Sequence, residues 1–295
     1  MAEPTPAPAP APGEAPGKFD RDTVVWREGG SAGEATFGAE VSPDWRAGRG
    51  PHGGYLAAIL LRALIEGVAD PARSPRSLTI HYPRAPEPGP IRIRTVIERA
   101  GRSLSSVSAR MEQDGRLTAL ALAAFSVPWS GPEFADMQMP QVAPPDPSRV
   151  HGEPVHPSAP PIAHHTILQR RFGSVPFIGD TERPMEVGGW LGHAEPRPID
   201  ALSLAFFSDA LIPAPFMRLR EPSAAPTVDL NVHFRTSLPP PHADAGRDGD
   251  LCLIRIRTGL MHEGFFEEDG VIWAPDGTVL AQSRQLALLL PMKIG

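Results

Sequence analysis

Hydrophobic positions along the 295-residue chain fall into two sets of short runs, and both sets keep the same order. In the first set, residues 23–27 and 35–41 alternate apolar and polar positions, the two-residue period of a half-buried strand. Residues 55–65 are then apolar at nearly every position, which predicts a buried helix. Three further alternating runs follow, with Asp114-Gly115 as a tight turn before the last of them. The second set repeats the pattern: strands at 167–172 and 186–191, a helix at 199–211, then three strands with Asp276-Gly277 before the last.

Residue identities support a duplication. Ile-Arg-Ile-Arg-Thr occupies both 91–95 and 254–258, and Leu78-Thr-Ile-His-Tyr82 matches Leu230-Asn-Val-His-Phe234. The offset is 152 residues at His81/His233, and 162 to 163 at the later matches; a Pro-rich insertion at 239–249 accounts for the step. Three matches in one order with one explicable shift indicate a repeated domain. One long helix followed by an antiparallel sheet able to wrap around it is the hotdog arrangement. The predicted class is therefore α+β, a double hotdog in which each half covers the flank the other leaves exposed. The division is 1–18 as a disordered Pro/Ala-rich tail, 19–130 as the first hotdog, 131–161 as a Pro-rich linker and 162–295 as the second hotdog.

Composition narrows the function. The 37 prolines concentrate in the tail, the linker and the 239–249 insertion, where no strand or helix period survives. A net charge of −6 with no basic run gives no footprint for nucleic acid or an anionic membrane. The N-terminal segment lacks both the basic start and the apolar stretch of a secretory signal, and no apolar run approaches the roughly 20 residues needed to span a bilayer. One cysteine, Cys252, leaves no internal disulfide and suits a reducing cytoplasm.

The motifs are more specific. In the second half, Ser-Asp-Ala-Leu-Ile at 208–212, the strand at 226–235 and the run at 280–289 that begins Leu-Ala-Gln-Ser-Arg-Gln resemble the C-terminal half of the acyl-CoA thioesterase II family, the TesB-like double-hotdog enzymes. In the first half, the run at 52–64 that begins His-Gly-Gly-Tyr, the run at 78–90 and the run at 100–106 that begins Ala-Gly-Arg-Ser resemble that family's N-terminal half. The resemblance implies hydrolysis of an acyl-CoA to a free fatty acid and CoA, without a cofactor or metal. It nominates Asp209, Thr227 and Gln285 as the groups that hold and activate the attacking water, on the second hotdog only. It leaves His52, Gly53, Gly54 and Tyr55 as substrate-binding candidates, and Arg84, Arg102 and Arg235 as cations for the CoA phosphates. Association of such protomers into a homo-oligomer is compatible with the fold.

The residues themselves support two of the three water-holding groups. Asp209 lies three positions after Phe206 and seven after Leu202, so within one helix it would share their apolar face. Gln285 alternates in phase with Val279, Ala281, Ser283 and Ala287, the mainly apolar side. Buried polar groups of this kind need partners. Thr227 alternates instead with Asp229, Asn231 and His233, the polar side. Shifted by the repeat, Thr227 falls on Pro75 and Gln285 on Ala123, so the first copy lacks the polar set. Gly29-Gly-Ser-Ala-Gly33 fits the G-x-S-x-G pattern, but a strand follows where a nucleophile elbow needs a helix, so a hairpin turn is expected. His151, His156, His164 and His165 sit in or beside the Pro-rich linker without Cys or carboxylates at ligand spacing, which argues against a metal site. Two rival functions share the fold: a ligand-binding protein without turnover, and a hydratase or dehydratase. The latter needs an Asp–His pair in one site, and the sequence places no His beside Asp209.

Overall fold

A computed structural model of the chain describes residues 16–48, 50–149, 152, 154–156, 159–236 and 251–291. Most of the tail, His151 and the 239–249 insertion lie outside the described residues. Twelve strands line up in one continuous antiparallel sheet. In the first half these are β1 (Trp26–Ser31), β2 (Glu34–Val41), β3 (Ser74–His81), β4 (Gly89–Ala100), β5 (Leu104–Gln113) and β6 (Arg116–Ser126). In the second half they are β7 (Thr166–Phe172), β8 (Glu186–His193), β9 (Thr227–Phe234), β10 (Cys252–Arg257), β11 (Phe265–Trp273) and β12 (Val279–Leu288). Their spatial order is β1-β2-β4-β5-β6-β3-β9-β12-β11-β10-β8-β7, so the two halves run outward from the centre in the same sequence.

The seam between the halves is a strand pair, β3 against β9. Asp229 pairs with His81, Asn231 with Thr79 and His233 with Ser77. Thr79 and Asn231 are 152 positions apart, which is the repeat's own offset. A pseudo-two-fold axis therefore passes through that one pair, where Asn231 Nδ2 donates to Thr79 Oγ1 at 2.7 Å. An isologous contact of this kind is what a dimer interface becomes when its two copies are fused.

The long helix α2 (Gly53–Val68) fills the concave side of the sheet, and Leu56 to Leu61, Ala63 and Leu64 are all buried. A helix apolar around most of its circumference has no other stable place. Each Leu or Ile so buried contributes about 1.5–3 kcal/mol. His52 caps its start, accepting from Tyr55 N; Ala69, in the left-handed region at φ 49°, ends it before Asp70-Pro71.

The 23–27 run is a strand only from Trp26. Lys18–Asp22 form a short helix, α1, and the Thr23 hydroxyl donates back to the Phe19 carbonyl at 2.7 Å. Phe19 is buried against Trp45, His193 and Phe206, which secures α1 on the core. Ser31 pairs with Glu34 across Ala32-Gly33, so the motif's end is the turn of the expected hairpin, and a strand rather than a helix follows. The Pro-rich stretch crosses the outer face of the second half. Trp190 Nε1 donates to the Ala143 carbonyl at 2.8 Å, and Met139 and Val142 pack on a small cluster of Ile167, Trp190, Leu251, Leu253 and Trp273.

Candidate active site

Thr227 stands where simple alternation would not put it. It pairs with Ala287, whereas Asp229 pairs with Leu286, so Val228 is an extra residue in β9, a β-bulge. The bulge resets the two-residue phase. Thr227 comes to the face of Leu230 and Gln285, not the face of Asp229, Asn231 and His233, and its Oγ1 donates to Gln285 Oε1 at 3.0 Å.

Gln285 is buried and lies opposite Leu230 on one side and Glu268 of β11 on the other. Its Nε2 donates to Glu268 Oε2. Glu268, itself 4% exposed, accepts a second hydrogen bond at Oε1 from Ala214 N, 2.6 Å. Three polar side chains thus form a row across β9, β12 and β11. Burial pushes the Glu268 carboxyl up to about 7; the hydrogen bonds from Ala214 and Gln285 oppose the rise, and the charges of Asp209 and Glu267 add to it. No motif drew attention to Glu268. Its signal is the phase of Phe266, Glu268, Gly270 and Ile272, which puts an acid among residues that all face inward.

A carboxyl with a raised folded-state pKa makes stability depend on pH. Below about 4.5 Glu268 is protonated in both folded and unfolded chains; between there and about 7 only the folded chain keeps the proton. Its contribution is therefore complete at low pH and lost as pH rises through about 7, by roughly 3 kcal/mol at about 1.4 kcal/mol per pKa unit. The stability gap between the wild type and Glu268→Gln, taken from denaturant melts across that window, should shrink or change sign by this amount. A gap constant with pH would show that Glu268 is ionised throughout.

Asp209 reaches the site from a loop. The helix expected over 199–211 is only α3 (Ala201–Phe207), capped by Asp200 at its start and Ser208 at its end. Pro213 and Pro215 follow at once, and neither can supply the backbone N–H a continuing helix needs. Asp209 N bonds the Phe206 carbonyl at 3.2 Å, and the side chain turns to the start of α2. There its Oδ2 accepts from Gly54 N at 2.9 Å, in the first turn of a 16-residue helix whose dipole favours an anion. His52 Nε2 donates to the Asp209 carbonyl at 2.6 Å and lies 3.4 Å from Oδ2, while Nδ1 accepts from Tyr55 N. Tyr82 donates to the Gly53 carbonyl at 2.9 Å. Thus the first half's helix start holds the second half's carboxylate, and residues 209–214 run from Asp209 to the amide that bonds Glu268.

Gly54 is needed for this closeness. A Cβ there would strike the Phe206 carbonyl oxygen, and one on Gly53 would sit 2.7 Å from Asp209 Oδ2. Gly54→Ala must push α2 and α3 apart, an overpacking expected to cost about 1–3 kcal/mol. Thermal melting checks it, and an unchanged midpoint would show that the two helices yield freely.

The binding candidates separate. His52, Gly53 and Gly54 are at the site, and His52 and Gly54 hold Asp209. Tyr55 is a core residue: its ring stacks on Trp45, and its hydroxyl donates toward the Asp22 and Glu40 carbonyls and accepts from Ser42 N. Arg84 follows Tyr82 at the end of β3, beside the start of β9 where Thr227 lies. Arg235 is at the far end of β9, roughly 25 Å of extended chain from Thr227. Arg102, in the turn between β4 and β5, is at that same far end, since β5 and β6 carry it to Ser74. Only Arg84 of the three shares an end with Asp209. The sequence offered no His for Asp209, and the fold supplies His52 from the other half.

The sheet register identifies the counterparts in the first half. Pro75 precedes a bulge in β3 as Thr227 does in β9. Leu78, Ala123 and Val107 lie across three strands as Leu230, Gln285 and Glu268 do. The three positions that copy the polar row, Pro75, Ala123 and Val107, are all apolar.

Residues 41–126 match the acyl-CoA thioesterase N-terminal domain, and residues 139–289 match the acyl-CoA thioesterase C-terminal domain. The uncharacterized protein Rv0499 of Mycobacterium tuberculosis is 26% identical over 280 residues, covering 86% of this chain and 90% of that protein. Among solved structures, a hot dog fold protein of unknown function from Alicyclobacillus acidocaldarius superposes with a TM-score of 0.79 at 26% identity, over 94% of this chain and all (100%) of that one. A putative thioesterase II from Thermobifida fusca YX gives 0.72 at 25%, over 92% and 97%. The acyl-CoA thioesterase II TesB2 of Mycobacterium marinum shares the fold at 0.70 and 18% identity, over 93% and 99%.

Proposed function

The chain belongs to the acyl-CoA thioesterase family, and from that premise we propose that it hydrolyses an acyl-CoA to a carboxylic acid and CoA at the second hotdog. The observation that carries the reading is the pairing of a carboxylate fixed at a helix start, Asp209 on Gly54 N, with the row of half-buried Thr227 and buried Gln285 and Glu268. A thioester carbonyl is electrophilic enough for water to attack without a covalent enzyme intermediate. Asp209 takes one proton of the water, the hydroxide oxygen bonds to the carbonyl carbon, and the C–S bond breaks as the tetrahedral intermediate collapses. Asp209 returns its proton to the departing sulfur, so CoA leaves as the thiol, the acyl group leaves as its acid and the carboxylate is restored. Thr227 and Gln285 hold the water; Arg84, which follows β3 beside the start of β9, is the cation we assign to a CoA phosphate. None of the described helices is long and apolar enough to cross a membrane, and buried, unpaired Cys252 suits a reducing cytoplasm.

His52 beside Asp209 favours a second reading, hydration or dehydration of an acyl-CoA by an acid–base pair. Against it, both ring nitrogens of His52 are engaged by backbone groups. Release of free thiol from a panel of acyl-CoA chain lengths tests the first reading. Consumption of an enoyl-CoA without thiol release would replace it with the second, and neither activity would leave a binding protein.

A further inference from the structure

Glu268 contacts the water-holding Gln285 and has no role in the hydrolysis described above. We propose that Glu268 is a positioning residue for that hydrolysis, on whose reading this inference rests: as a carboxylate it holds the Gln285 amide with nitrogen toward β11 and oxygen toward Thr227, and on taking up a proton it turns the amide over.

The hydrogen-bond inventory requires this. An ionised carboxylate only accepts, and a primary amide presents one accepting and one donating edge. Glu268 Oε1 is fixed as an acceptor by Ala214 N, so an added proton must sit on Oε2, facing Gln285. An O–H there meets an N–H and the two repel. Rotation of the amide by half a turn, about a terminal torsion with a broad two-fold profile, restores every bond. Glu268 then donates to Gln285 Oε1, and Gln285 Nε2 donates to Thr227.

That reversal reaches the water through Thr227. With Glu268 ionised, the Thr227 hydroxyl spends its only proton on Gln285 Oε1 and offers lone pairs to its surroundings. It can then accept one water hydrogen while Asp209 takes the other, leaving a water lone pair for the carbonyl carbon. With Glu268 protonated, Thr227 accepts from Gln285 and points its own O–H outward, to the lone pair the attack needs. Ionised Glu268 is the working state.

The groups around Glu268 allow the switch to fall in an accessible range. Its neighbour on β12 is neutral Gln285, and the 214–217 turn presents the Ala214 amide and no charge. The charges that bear on it are carboxylates, Asp209 from the loop after α3 and Glu267 on its own strand, and Glu267 is turned to Gly259 N and Leu260 N. The first half has Val107 where Glu268 stands and Ala123 where Gln285 stands, so the pair occurs together or not at all.

Glu268→Gln is the direct test, because its amide cannot ionise. With Oε1 kept by Ala214 N, its NH2 group faces Gln285 and locks the inverted arrangement. The expected kcat at about pH 8 is lower than wild type by about tenfold or more, at or below the roughly 10² to 10⁴ of a group that transfers the proton itself, because Glu268 acts through Gln285. The wild-type acid limb near neutrality should be absent from the variant. Wild-type kcat in Glu268→Gln, or an unaltered limb, would overturn the proposal.

A second measurement needs neither turnover nor a variant of Glu268. In the full chain labelled with side-chain 15N glutamine, the Gln285 NH2 resonance, identified by its loss in Gln285→Glu, should titrate near neutrality. A resonance that does not move between about pH 5 and 9 defeats the proposal whatever the kinetics. A chain that releases no thiol from any acyl-CoA, yet shows this titration, would remove the hydrolase reading and leave the Glu268–Gln285 switch standing.

Discussion

Asp209→Asn should lower kcat for acyl-CoA hydrolysis by roughly 10² to 10⁴, the range a positioned general base contributes. Asparagine has the same shape, and its oxygen can still accept from Gly54 N, where Asp209 Oδ2 now does at 2.9 Å. His52 holds the backbone carbonyl of residue 209 and not the side chain alone, so the loop keeps its place. What is lost is the capacity to take a proton, so kcat and kcat/KM should fall together with little change in KM. The melting midpoint should move by no more than a few degrees, since removing the charge forfeits only its interaction with the helix start, about 0.3–1 kcal/mol. Turnover equal to wild type on the best substrate would take Asp209 out of the mechanism. A large fall in the midpoint alongside the rate would instead make it a structural anchor between the halves.

How far the sequence leads to this site varies residue by residue. The order of strands around α2 is legible because alternation and the long apolar run each report burial on one side or on all sides. The seam is legible too, once the repeat offset is set beside the register: Thr79 and Asn231 must meet if the halves are related by a two-fold. Thr227 is the opposite case. Alternation put it on the polar face, and a single bulge at Val228 moved it to the buried one; nothing local to the sequence marks that extra residue. The end of α3 was marked, by Pro213 and Pro215, and the apolar run across 199–211 concealed it. Arg102 and Arg235 look equivalent to Arg84 in a list of cations, but only the antiparallel pairing reveals which end of the sheet each occupies. His52 and Asp209 are 157 residues apart, and their meeting belongs to the packing of α2 on α3, which no spacing in the chain expresses.

Gln285→Ala should cripple turnover, by about 10²-fold, whereas Ala123→Gln should create no second site. The first substitution removes the amide that Thr227 and Glu268 hold between them, and leaves Glu268 Oε2 without the bond it accepts from Gln285 Nε2. An unsatisfied buried group of that kind costs about 1–3 kcal/mol, so stability falls as well and must be measured apart from rate. The second substitution puts an amide at the matching register position, opposite Leu78 and Val107, where the second half has Leu230 and Glu268. Pro75 stands where Thr227 does and offers no hydroxyl. The new amide finds neither partner, so Ala123→Gln should lose stability by a similar amount and gain nothing in rate. Asymmetry of this origin also fixes the stoichiometry. Titration with a non-hydrolysable acyl-CoA analogue should saturate at one equivalent per chain, with Gln285→Ala weakening it far less than it lowers kcat. Two equivalents per chain, or full activity in Gln285→Ala, would mean that the first half works by residues other than the row at Thr227, Gln285 and Glu268.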